Sequence, residues 1–256
     1  MAAIVRALAW LFFVLVSSTT LSRAANPREL TVAAAADLTF AFKEIGPLFE
    51  RAHGVKMIFM FGSTGNVAKQ IEYGAPVDVF FAADIGFVDL LRQKGVTIPE
   101  SQSLYAQGRI VLATAKNTGL AVTELKDLLS PRVRRVAIAN PDHAPYGKAA
   151  REALQTSGLW ERLRPKLVYG ENVRQTLQFI QTGNAEAGIV ALSIANVPEI
   201  KSVLIDSSLH KPLSQAAAVV KRSPHPELGL AFIQFVNGRE GRPIMKKFGF
   251  VLPGDF

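Results

Sequence analysis

The chain has no cysteine and only four histidines. Without cysteine there are no disulfides, thiolate zinc sites, iron–sulfur clusters or cysteine nucleophiles, and no lipid can be carried on a cysteine. The histidines, His53, His143, His210 and His225, are scattered without metal-ligand spacing and read as surface or capping residues. Nucleotide signatures are also missing. Gly147-Lys148 looks like the end of a phosphate loop, but Asp142 stands where the first glycine is required and Ala149 replaces Ser or Thr. Ser63 lacks the glycine spacing of a nucleophile elbow, and no histidine near it in sequence suggests an activating base. Basic residues alternate with acidic and apolar ones rather than forming a stripe interleaved with aromatics, so no nucleic-acid partner is expected.

What is present is an ordinary globular composition, 49% hydrophobic and 20% charged over 256 residues, enough for one large or two small domains. Lys plus Arg outnumber Asp plus Glu by 29 to 21, a formal charge of +8 that favours anionic partners without choosing among them. The N-terminus reads as a secretory signal over 1–24. Arg6 starts it, Ala7 to Val16 form an apolar run too short to span a membrane, and Ser22 and Ala24 fit a small-residue cleavage site. The expected product is a soluble exported protein. With no lipidated cysteine to hold it at a surface, a Gram-negative periplasm is the favoured compartment.

From Leu30 onward, short apolar runs alternate with amphipathic helical stretches, the pattern of α/β architecture. A strand Leu30 to Ala35 precedes a helix Leu38 to Ala52 stopped by Gly54. The strand Val55 to Phe61, the turn Gly62 to Asn66 and a helix to about Tyr73 repeat the unit. The strand Val77 to Ala83 and a helix Ile85 to Lys94 follow. The three strands are parallel candidates. A second series runs from the strand Arg109 to Ala115 through Val133 to Ala139, the loop Asn140 to Tyr146, a helix Gly147 to Gln155, the strand Leu167 to Tyr169, a helix Asn172 to Thr182 and the strand Ala187 to Val190. A further strand, Leu213 to Val220, and two terminal helices close the chain. The expected division is a first lobe of 25–107 plus 218–256 and a second lobe of 108–217, joined by short crossings.

The strand-to-helix turns carry the chemistry. Ala35-Ala36-Asp37 opens the first helix and Gly62-Ser63-Thr64-Gly65-Asn66 the second. Helix N-termini present unpaired N–H groups and a positive dipole end, so small residues there let an anion approach the backbone while hydroxyls donate further bonds. Asp37, Ser63 and Thr64 equally fit the role of ordinary N-caps. Two prolines fix the path of Asn140 to Gly147, with Tyr146 either closing over an anion or packing as part of a rigid turn. Val173, in the first turn of another helix, offers a backbone N–H or simply core.

Together these segments resemble the periplasmic molybdate-binding proteins of ABC transporters. The resemblance rests on Val32 to Leu38, Phe61 to Asn66 with Ala68 to Ile71, Gly74 to Phe80 with Ala82 to Asp84, Asn140 to Gly147, Glu171 to Arg174, Gly188 to Val190 and Phe248 to Phe250, in the same order along nearly all of the chain. It implies a two-lobed periplasmic binding protein fold, each lobe a mainly parallel sheet flanked by helices, with two hinge crossings. It also implies a monomer, a membrane permease as partner, and no cofactor or enzymatic activity. The ligand would be molybdate or tungstate, its molybdenum held only through the oxyanion's own oxygens. The residues implied are Ala36, Asp37, Ser63, Thr64, Tyr146 and Val173, the last through its backbone.

A donor-only site suits a fully ionised dianion and penalises monohydrogen phosphate, whose hydroxyl finds no acceptor. Asp37 departs from that pattern, because an ionised carboxylate within about 4 Å of a dianion costs several kcal/mol. Either it turns away to cap the helix, the reading preferred on sequence, or it accepts the proton of a protonated oxyanion such as phosphate. An exported hydrolase using Ser63 is the remaining reading, weakened by the missing His–acid partner.

Overall fold

A computed structural model describes residues 28–256; the segment read as a secretory signal lies outside them. The chain begins with β1 (Arg28–Ala35), a 3₁₀ turn at Ala36–Leu38 and α1 (Thr39–His53), then β2 (Val55–Gly62) and α2 (Thr64–Glu72). β3 (Val79–Ala82), α3 (Ile85–Gln93) and β4 (Ser103–Gly108) complete the first series. The second comprises β5 (Ile110–Ala115), β6 (Val136–Ala139), α4 (Pro145–Thr156), α5 (Trp160–Leu163), β7 (Leu167–Gly170), α6 (Val173–Gln181), β8 (Ala187–Ala191), α7 (Leu192–Ala195) and β9 (Ile200–Leu204). β10 (Leu213–Val219), α8 (Pro226–Asn237) and α9 (Gly241–Lys247) end the chain.

Two five-stranded sheets result, ordered β2-β1-β3-β10-β4 and β7-β6-β8-β5-β9. β1 pairs in parallel with β2 and β3, and β6 with β7 and β8, as the alternation of strands and helices predicts. β10 in the first sheet and β5 in the second each run antiparallel to both neighbours. The fold is thus the expected two-lobed α/β architecture with mainly parallel sheets.

The chain passes from the first sheet to the second between Gly108 and Ile110, and back between Leu204 and Leu213. The second passage corrects the expectation that 108–217 form one lobe. All of β10 belongs to the first sheet, wedged between β3 and β4. An apolar run such as Leu213-Ser214-Gln215-Ala216-Ala217-Ala218-Val219 fits the interior of either sheet, so only the pairing decides its place. β4 and β9 had no clear sequence signal; both are edge strands, and β9 is exposed along most of its length.

Each sheet is buried between helices. In the first lobe a phenylalanine cluster packs α1 and α8 on one face, with Phe42 edge-on to Phe81 at 5.0 Å and to Phe232 at 5.4 Å. α2 and α3 cover the opposite face through Val67, Ile71, Val88 and Leu91. Burial of this kind, at about 25 cal/mol per Å² of apolar surface, holds each lobe rigid. The strand ends then project fixed turns toward the other lobe. C-terminal to the strands, where open α/β sheets present ligands, lie Ala36, Ser63, Ala83, Tyr146 and Asn172.

Candidate functional site

The turns after β1, β2, β3, β6 and β7 meet in a small cavity between the lobes. Ala36, Asp37, Ser63 and Thr64 line it from the first lobe, Tyr146 and Val173 from the second. All six sequence-derived candidates therefore face one space, joined by Gly62, Ala83, Pro145 and Asn172. No lysine, arginine or histidine lines it; Asp37 is its one ionisable carboxyl. Among the described residues no grouping of His, Cys, Asp and Glu is suited to a metal ion.

Three α-helix N-termini and the 3₁₀ turn point into this cavity. Their first-turn N–H groups have no intrahelical acceptor. At α6 the Asn172 side chain accepts from the N–H groups of Arg174 and Gln175, both at 3.0 Å, and leaves that of Val173 unclaimed by the cap. At α2 no side chain caps the helix, because Ser63 turns to the other lobe. Thr64 Oγ1 accepts from the Ala83 N–H at 3.1 Å, which fixes its rotamer and leaves its hydrogen for the cavity. α4 starts at Pro145 rather than at Gly147, so Tyr146 sits in its first turn.

Ser63 and His143, 80 residues apart, meet across the lobes. The Ser63 Oγ–H donates to the His143 carbonyl oxygen at 2.7 Å, while His143 Nδ1 lies 2.8 Å from the same Oγ. A hydroxyl has one hydrogen; with that hydrogen on the carbonyl, the ring nitrogen is the donor. The expectation that no histidine neighbours Ser63 is corrected. The polarity is nevertheless the reverse of what a nucleophile needs, since no lone pair of the ring awaits the serine proton. The Gly65 N–H donates to the same carbonyl at 2.9 Å. This approach requires glycine, because a Cβ at position 65 would lie 2.7 Å from the His143 oxygen.

Asp37 overturns the capping reading. Its side chain makes no capping bond at the 3₁₀ turn or at α1. Instead Oδ2 accepts from Tyr146 Oη and from Gln215 Nε2, each at 2.9 Å, and Gln215 Nε2 also donates to Tyr146 Oη at 2.9 Å. The phenol hydrogen of Tyr146 is thereby committed to Asp37, not to a ligand. Ser193 Oγ–H donates to the Asp37 carbonyl at 2.8 Å. Asp37 is 1% exposed, and burial pushes its carboxyl up from 3.8 to about 6, against the smaller downward pull of Gln215, Tyr146 and the N–H groups of Asp37 and Leu38. Burial also raises the phenols of Tyr105 and Tyr146, with Asp37 adding to both.

Gln215, His143, Gly65 and Ser193 were not foreseen as site residues. Gly65 and His143 lie in the turn and the loop singled out in the sequence, and Gln215 had a signal of its own, an amide inside a mostly apolar strand, where it is wholly buried.

Residues 30–251 match the model of the bacterial extracellular solute-binding protein family. The chain belongs to this family. The solute-binding protein is 36% identical over 224 residues to the molybdate-binding protein ModA of Rhodobacter capsulatus, covering 87% of this chain and 88% of that one. It is 35% identical to the molybdate-binding protein ModA of Azotobacter vinelandii, covering 91% and 93%. The solved structure of the Azotobacter vinelandii periplasmic molybdate-binding protein superposes with a TM-score of 0.82 at 31% identity, covering 88% of this solute-binding protein and 99% of that chain. No helix among the described residues is long and apolar enough to cross a membrane.

Proposed function

We propose that this solute-binding protein captures molybdate, and tungstate with it, in the interlobe cavity and delivers it from the periplasm to an ABC importer. The observation that carries the reading is the convergence of the N-termini of α2, α4, α6 and the Ala36–Leu38 turn on one cavity with no basic side chain. Such a site recognises a tetrahedral dianion by neutral donors. The names and close fold of the curated relatives support the choice of ligand.

The donors are the N–H groups at Ala36, Asp37, Thr64, Tyr146 and Val173 and the Thr64 hydroxyl. Charge-assisted bonds contribute about 1.5 to 3 kcal/mol each, so five or six offset the desolvation of a dianion without a counter-ion. Ser63 contributes through the lobe contact it makes. Because donors come from both lobes, a bound anion favours the closed arrangement in which Ser63, Gly65 and Tyr146 reach across. That closed arrangement is the signal a permease reads. Sulfate, with shorter bonds, leaves some donors out of reach. The positive net charge steers anions toward the protein without entering the site.

Thermal unfolding with equal concentrations of molybdate, tungstate, sulfate and phosphate tests the assignment. A ligand at about 1,000 times its Kd adds about 4 kcal/mol. A large rise in Tm with molybdate and tungstate alone is expected. A rise with phosphate alone, or with none of the four, contradicts it.

A further inference from the structure

The two oxygens of Asp37 are unlike. Oδ2 accepts from Tyr146 Oη and Gln215 Nε2, which fills its acceptor positions. Oδ1 is buried and has no hydrogen-bond partner, and the residue lines the cavity. As a carboxylate, Asp37 leaves a desolvated, unpartnered negative oxygen on a residue that lines the space an oxyanion enters. As an acid, it carries its proton on Oδ1, since Oδ2 already accepts two bonds, and that O–H lacks any acceptor in the protein.

Resting on the reading of this cavity as a molybdate site, we propose that Asp37 binds the oxyanion as a neutral carboxylic acid, Oδ1–H donating to a ligand oxygen, so that capture of a bare dianion takes up one proton from solvent. No covalent bond forms or breaks to the ligand. The protein gains one proton at Oδ1, and the loaded site carries two negative charges rather than three.

Burial favours the neutral form of Asp37 and outweighs the hydrogen bonds from Gln215, Tyr146 and the N–H groups of Asp37 and Leu38, which favour the carboxylate. Tyr146 of α4 and Tyr105 of β4 are phenols kept neutral by burial and by Asp37 itself. Gln215 of β10 and Ser193 of α7 are uncharged. The cations of the packed helices are engaged elsewhere: Arg174 of α6 lies 5.4 Å from the Phe40 ring centroid and Lys43 of α1 5.9 Å from it. His143, before α4, is bonded to Ser63. With an ordinary value already displaced to about 6, holding the acid protonated near pH 7.5 costs roughly 30-fold in affinity. An ionised carboxylate about 4 Å from a dianion costs on the order of 1,000-fold or more. Protonation is the smaller cost, so the ligand selects the acid.

Titration calorimetry of the purified protein with sodium molybdate, in buffers of different ionisation enthalpy, reads the proton directly. The expected result is close to one proton taken up per molybdate near pH 8, with affinity falling roughly 80-fold between about pH 6.5 and 8.5. Asp37→Asn presents an amide N–H that donates without titrating, so its molybdate affinity is expected to be flat over that range, with no proton uptake. Molybdate binding by the unsubstituted protein without proton uptake overturns the proposal, as does an Asp37→Asn protein that keeps the pH slope. Phosphate bound in preference to molybdate, and lost on Asp37→Asn, reverses the bond and overturns it too. The absence of molybdate binding at every pH is a different failure, which removes the molybdate reading along with the proposal.

Discussion

Tyr146 and Asp37, 109 residues apart and on opposite lobes, are joined by a buried hydrogen bond of 2.9 Å from the phenol to Oδ2. The bond ties the closed arrangement of the lobes to the ionisation of a residue that lines the cavity. Gly108 makes room for it at the hinge, since a Cβ there would lie 2.2 Å from Tyr146 Oη.

Asp37 also sets a pH dependence of stability without ligand. Its folded value, about 6, is raised above the ordinary 3.8. The stability of the neutral form is therefore fully present below about pH 4 and is lost as pH rises through 6, up to about 3 kcal/mol at 1.36 kcal/mol per unit. Asp37→Asn removes that loss. Urea unfolding is expected to show the variant more stable by up to about 3 kcal/mol near pH 8 and equal to the parent near pH 4; a variant less stable at both contradicts the assignment.

Tyr146→Phe deletes the interlobe donor and one of the pulls that lower the Asp37 carboxyl. Molybdate affinity near pH 6.5 is expected to fall by about 1 kcal/mol through weaker closure. The decline toward pH 8.5 is expected to be shallower than in the parent, because the acid now ionises later. Parallel pH profiles for the two proteins count against the coupling.

Gly65→Ala places a methyl against the His143 carbonyl without touching either lobe's core. Molybdate affinity is expected to drop by about tenfold or more, equivalent to about 1.4 kcal/mol, while the ligand-free Tm stays near that of the parent. An unchanged affinity shows that the Gly65 contact is not part of closure.

Thr64→Val keeps the shape of the side chain and removes the one hydroxyl whose hydrogen is left to the cavity. A loss of about 1.5 to 3 kcal/mol in molybdate binding is expected, the range of a charge-assisted bond. Ser63→Ala acts on closure instead, since its hydrogen is already on the His143 carbonyl.

The small-residue turns were legible because a helix start demands particular residues locally. Ala35-Ala36-Asp37, Gly62 to Asn66 and Asn172-Val173 all proved to be strand-to-helix turns facing one cavity. Parallel pairing of β1 with β2 and β3 followed from the alternation of strands and helices. The role of Asp37 was not legible. Its capping reading uses only neighbours in sequence, whereas its actual partners, Tyr146 and Gln215, stand 109 and 178 residues away and meet it only when both lobes and β10 are in place. The same holds for His143 beside Ser63, and for β10, whose apolar run carries no mark of which sheet it enters.

The most direct test of the account is a crystal structure of the protein with molybdate, read from the anomalous signal of molybdenum. One peak is expected between the lobes, inside the cavity lined by Ala36, Asp37, Ser63, Thr64, Tyr146 and Val173, with tetrahedral oxygens reached by hydrogen bonds and no protein atom bonded to the metal. A peak outside that cavity, or a carboxylate oxygen bonded to molybdenum, contradicts it.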